Sequence, residues 1–122
     1  MKQVYGSSET SGAPVSSAWE VNGLLFVSGQ IHADAEWKLV GSTIEERFAA
    51  AMANVSRIVG EAGLTVNDIM QIAPYLIDLS ELPALNEAYR VYFKHPLPAR
   101  TAVEVSRLPL GASLEIEAVA AR

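Results

Sequence analysis

Apolar and polar positions alternate with two different periods along this chain, and the change of period marks its elements. Residues 17–27, SAWEVNGLLFV, hold two short β-prone runs on either side of Asn22-Gly23. That dipeptide is the strongest two-residue hairpin signal, so two paired strands are expected there. The stretch SGQIHADAEWKLVGS that follows loses any period and reads as an irregular loop, with glycines at 29 and 41. From Ser42 the period becomes helical. Ile44, Phe48, Met52, Val55, Ile58, Val59 and Ala62 recur at steps of three and four, the stripe of an amphipathic helix. Thr43 with Glu46, or Ser42 with Glu45, has capping-box spacing, and Gly63 suits the C-terminal stop.

MQIAPYLIDL (70–79) returns to a strand-like pattern. Its Pro74 lacks a backbone donor and suggests an edge position or a bulge. Ser80 is placed to cap a second helix running to about Lys94, with Pro83 in its first turn and Leu82, Leu85, Tyr89, Tyr92 and Phe93 on the buried face. Two strands, roughly 99–106 and 113–121, then close the chain as a hairpin around RLPLGA. The order is hairpin, helix, strand, helix, hairpin. Two helices against one mixed sheet make an α+β layer of one domain over residues 1–122, with one sheet face covered.

Composition bears on the uncovered face. Hydrophobic residues make up 50% of the chain and charged residues only 19%. So apolar a surface on so small a protein calls for cover by other subunits, and a second copy is the natural partner. The net charge of −5, with scattered Lys and Arg, argues against nucleic acid, whose binders neutralise phosphates with clustered cations. Cysteine is absent, which removes disulfides, thiolate metal sites and thiol nucleophiles. No leader-like apolar run opens the chain and no stretch approaches the ~20 apolar residues of a membrane span, so a cytoplasmic protein without a membrane partner is expected. His32, His95, Asp34 and Glu36 are read as surface groups and not as a metal site, and no cofactor motif is present.

The remaining chemistry lies in the last two strands. Alternation puts Arg100, Ala102 and Glu104 on one face of the first, and Glu115 and Glu117 on one face of the second. If the loop between them is symmetric, the two polar sets lie on the same side. They then form either a cross-strand ion pair on a wet face, worth a few tenths of a kcal/mol, or a cleft in which an arginine fork grips a carboxylate and a glutamate positions water.

The stretch PARTAVEVSRLPLGASLEIEAVAAR resembles the C-terminal signature of the RidA/YjgF family of reactive-intermediate deaminases. LFVSGQI, NVSRIVGEAGLTVNDIM and LIDLSELPALNEAYRVYF match the family's other blocks in order and spacing. The resemblance implies a chorismate mutase-like fold assembled as a homotrimer, with clefts between neighbouring subunits. It implies cofactor-free hydrolysis of enamines and imines to 2-keto acids and ammonia. Residue by residue, it gives Arg100 the substrate carboxylate and Glu115 the attacking water, with Ser28, Gly29 and Gln30 lining the cleft. Three further lining positions depart from the pattern: Val15 replaces a tyrosine, Leu82 a phenylalanine and Ala102 a cysteine. The segment KHPLP before Pro-Ala-Arg is also shorter than in typical members. A non-catalytic small-carboxylate binder or regulatory trimer, or a deaminase with another substrate, is the alternative.

Overall fold

The computed structural model describes residues 2–6 and 13–122. Strands β1 (Lys2–Tyr5), β2 (Ala18–Val21) and β3 (Leu24–Ile31) come first, followed by helix α1 (Ile44–Glu61) and strand β4 (Ile69–Leu76). Helix α2 (Leu82–Tyr92), the two-residue strands β5 (Ala99–Arg100) and β6 (Val103–Glu104), and strand β7 (Leu114–Ala121) complete the order. The sheet runs β1-β2-β3-β7-β4-β5, with β6 also on β4. It is mixed: β5 and β6 run parallel to β4, and the other pairs are antiparallel.

The β2–β3 hairpin forms as the dipeptide demands, with Asn22 at φ 52° and Gly23 at φ 80°, the pair of positive angles that a type I′ turn needs. α1 starts on the Thr43/Glu46 capping box and not on the Ser42/Glu45 one: Thr43 Oγ1 accepts from the Glu46 N–H, and the Glu46 carboxylate accepts from the Thr43 and Ser42 N–H groups. The chain leaves the helix through Gly63 at φ 77°, a region open to glycine at little cost. The stripe of α1 is buried as its period requires. Phe48, Met52, Val55, Ile58 and Val59 meet Leu25, Val27, Ile72, Leu76, Leu114, Ile116 and Ala118 from one face of the sheet. Each large side chain so enclosed contributes about 1.5–3 kcal/mol.

Several expectations are corrected. β3 continues through Ile31, so the irregular segment begins only at His32. The last two strands do not form a hairpin. β7 pairs with β3 and β4, whereas β5 and β6 lie on the far side of β4. β4 is therefore interior, and Pro74 is neither at an edge nor in a bulge. The carbonyls of Ile72 and Leu76 accept from Thr101 and Val105, so by alternation the missing N–H of Pro74 faces that same outer strand. Between those two bonds the outer strand breaks into β5 and β6. Ser80 does not cap α2; Asp78 accepts from the Ser80 N–H and starts a 3₁₀ turn, Leu79–Glu81, that leads into the helix.

His32 is buried and not at the surface. The Ser113 N–H donates to its Nε2 at 3.0 Å, which places the ring proton on Nδ1, 2.9 Å from the Val40 carbonyl. It thereby ties the loop after β3 to the start of β7. His95 is exposed, as expected.

The face of the sheet away from the helices carries an apolar row across its strands: Val4, Trp19, Phe26 and Val119 stand opposite one another from β1 to β7. Trp19 and Phe26 are 49% and 46% exposed. This is the face left uncovered by the two-layer plan.

Candidate active site

Glu115 is positioned by an irregularity in β3. The β3–β7 register runs from Val27 opposite Ala118 to Gln30 opposite Ile116, so Ser28 and Gly29 together face Glu117 in a β-bulge. The bulge is pinned to the preceding segment: the Ser28 N–H donates to the Ser17 carbonyl at 2.9 Å, and Ser28 Oγ donates to the Ser16 carbonyl at 2.6 Å. The Glu115 carboxylate lies directly against Gly29. A methyl group at Gly29 would fall 2.6 Å from Oε2 and 2.9 Å from Cδ, so the approach requires a residue without a side chain.

Two effects raise the proton affinity of Glu115. Partial burial is the larger, and the like charge of Glu117 on the same face adds to it. Glu117 is itself engaged, accepting a hydrogen bond from the Tyr75 hydroxyl. That bond, with smaller contributions from burial and the two carboxylates, pushes the Tyr75 phenol up as well. The two carboxylates thus stand in unlike settings, one partly buried and one hydrogen-bonded to a phenol.

Arg100 stands elsewhere. It pairs with Ile72, a fully buried residue of the helix-facing side, whereas Glu115 pairs with Tyr75 on the open side. β4 lies between them, and the two positions are three residues apart along it, a rise of ~10 Å. The expected same-side pairing of Arg100 with Glu115 is therefore absent within one chain, because the two pair with β4 from opposite sides at positions an odd number of residues apart. Arg100 Nη1 donates to Asn86 Oδ1 at 2.8 Å, and its guanidinium carbon lies 4.9 Å from the centre of the Tyr89 ring. Asn86, Tyr89, Arg90, Leu97, Pro98 and Arg100 line a hollow of about 250 Å³. Burial pushes the Tyr89 phenol far up, so this ring stays neutral.

Of the other expected lining residues, the structure gathers Ser28 and Gly29 at Glu115. Gln30 turns away, its Nε2 donating to the Ser28 carbonyl, and borders a separate hollow with Trp37, Asn54 and Arg57. Val15 is 52% exposed in the segment before β2. Leu82 packs half-buried against the core at the start of α2, and Ala102 sits half-buried in the break between β5 and β6. Sequence reasoning missed Asn86 and gave Tyr89 to the core alone. Their spacing of three on α2 was the available signal, since it puts both on one face. Among the described residues no group of three His, Asp or Glu side chains could hold a metal ion, and no helix is long and apolar enough to cross a membrane.

Comparison with known proteins adds what geometry cannot. A family model described as Endoribonuclease L-PSP matches residues 7–122. A RutC family protein of Pyrococcus abyssi is 42% identical over 108 residues, covering 88% of this chain and 85% of that one. A mouse protein named 2-iminobutanoate/2-iminopropanoate deaminase is 35% identical over 108 residues, covering 88% and 80%. Among solved structures, that of Escherichia coli TdcF with bound serine superposes with a TM-score of 0.82 at 29% identity, covering 98% of this chain and 93% of that one.

Proposed function

Because this chain belongs to the RidA/YjgF family, we propose that it hydrolyses 2-imino acids and their enamine tautomers to 2-keto acids and ammonia. The observation that carries this reading is the Glu115 carboxylate seated on the Ser28–Gly29 bulge, with a proton affinity raised above that of an ordinary glutamate. Arg100 holds the substrate carboxylate through two parallel N–H bonds. Water attacks the electrophilic iminium carbon while Glu115 takes its proton, giving a tetrahedral carbinolamine. Glu115 then returns that proton to nitrogen; as the C–N bond breaks and ammonia leaves, the carbinolamine hydroxyl gives its proton to the freed Glu115 carboxylate and the keto group forms. A carboxyl group that both accepts and returns a proton works best with a pKa moved toward neutrality, which is the direction of the shift. The imine supplies its own electrophile, so positioning the acid end and the water supplies the rest of the catalysis.

Arg100 and Glu115 leave opposite faces of one sheet, so a cleft that uses both is assembled between copies. Arg100 comes from one subunit and Glu115 from its neighbour. The apolar row Val4, Trp19, Phe26 and Val119 is the surface that such an assembly would cover, and the assembly proposed, in keeping with the family resemblance, is a homotrimer. The alternative is a small-carboxylate binder without turnover, favoured by the altered lining at Val15, Leu82 and Ala102. The nuclease activity in the family model's description fits poorly with a net charge of −5.

The test is release of keto acid from a 2-imino acid generated in situ, beside light scattering of the same sample. Turnover is expected together with a mass near three times 13.1 kDa. Binding of a 2-keto acid without any hydrolysis would select the alternative, and full turnover by a stable monomer would overturn the shared cleft.

A further inference from the structure

An arginine on a two-residue outer strand has a long side chain and few neighbours, so its guanidinium carries much rotamer freedom unless something fixes it. Here α2 supplies two contacts from residues one turn apart. Asn86 Oδ1 accepts from Nη1, and the Tyr89 ring lies beneath the guanidinium plane. The ring is itself fixed between Phe48 and Phe93, at centroid distances of 5.0 and 5.4 Å. Its hydroxyl is buried without a well-formed hydrogen bond among the described residues, although the Arg100 charge lies close enough to act on it, and the ring face is the contact that Arg100 makes.

Among the described residues no carboxylate forms an ion pair with Arg100, and the second guanidinium of the hollow, that of Arg90, is paired with Glu87. Both partners of Arg100 are neutral. We infer that Asn86 and Tyr89 are positioning residues for Arg100: they hold one guanidinium nitrogen and one face while leaving the charge unmatched and the remaining N–H groups open to an incoming carboxylate. A carboxylate at position 86 would orient the arm equally well but would neutralise it and compete with the ligand.

The inference rests on the proposed role of Arg100 as substrate anchor. Its test compares Asn86→Asp, Asn86→Ala and Tyr89→Leu by titration with 2-oxobutanoate and by kcat and KM for imine hydrolysis. Asn86→Asp is expected to weaken binding and raise KM by ~10-fold or more, with kcat at saturation within about twofold of the unmodified protein. Asn86→Ala is expected to lose less, since it frees the arm without neutralising it. Tyr89→Leu, which removes the ring face, is expected to raise KM in the same direction as Asn86→Ala. A role in packing alone would move Asn86→Ala at least as far as Asn86→Asp and would leave ligand affinity unrelated to charge. Unchanged affinity in Asn86→Asp overturns the inference, as does Asn86→Ala weaker than Asn86→Asp. Arg100→Lys separates the two levels. If it leaves affinity intact, the anchor itself is wrong; if it abolishes binding while Asn86→Asp does not, only the positioning role fails.

Discussion

Mixing two crippled chains should restore activity if the cleft draws its groups from different copies. Arg100→Lys keeps the charge and loses the bidentate fork, and Glu115→Gln keeps the shape and loses the base. Each alone is expected to be poorly active, Glu115→Gln by ~10²–10⁴-fold. In a ring, each cleft takes its arginine from one subunit and its glutamate from the next. Subunits randomly mixed one to one therefore leave about one quarter of clefts with both groups intact, since each choice is right half the time. Refolding or co-expressing the two variants should recover about a quarter of the unmodified rate, at least ~25-fold above the Glu115→Gln parent. The structural ground is the ~10 Å rise along β4 and the opposite faces on which the two side chains leave the sheet. A second arm guards against incomplete exchange. The double variant mixed with unmodified chain gives about one quarter of full activity if the groups come from two copies, and about one half if they come from one. A mixture no better than the mean of its parents, with exchange verified by mass, would refute the shared cleft.

Two further outcomes follow from the bulge. Gly29→Ala places a methyl group within 2.6 Å of Glu115 Oε2, so the carboxylate must shift by about an ångström; turnover should fall ~10²-fold while keto-acid affinity, proposed to rest on Arg100, changes little in a kinetic and titration series. Glu115→Gln should raise the melting temperature at pH 7, and the gain should vanish in acid. With its folded pKa raised, Glu115 binds its proton more tightly in the native state, so stability falls as pH rises from the 4.5 of an ordinary glutamate through the higher folded value. Melting curves from pH 4 to 8 check the sign, and a gain that grows toward low pH would contradict it.

The elements that one short window specifies were legible in the chain. α1 is announced by its apolar stripe and capping box, and the first hairpin by Asn22-Gly23, because helix period and turn chemistry are local. The alternation of Arg100 with Glu104, and of Glu115 with Glu117, was equally readable. Strand pairing is not local. β4 slips between the last two strands, and nothing in RLPLGA shows that its flanking strands are separated by a strand some 40 residues earlier. The registers on the two sides of β4 put Arg100 on the other face from Glu115 and bring it to Asn86, a polar helix residue whose contact shows only once Arg100 arrives. His32 escaped for a similar reason: its partners, Val40 and Ser113, are 8 and 81 residues away.

The interruption at Pro74 also bears on what this protein does when crowded. A continuous outer strand presents a row of free N–H and C=O groups on which any extended chain can add, the first step toward fibrous stacking. Here that border is offered only as the fragments Ala99–Arg100 and Val103–Glu104, with a charged residue in each. A stray segment finds too few bonds in register to stay. On this side the sheet thus denies a template to disordered association, and the unbroken edge that it does offer is the four-residue β1 at its other border.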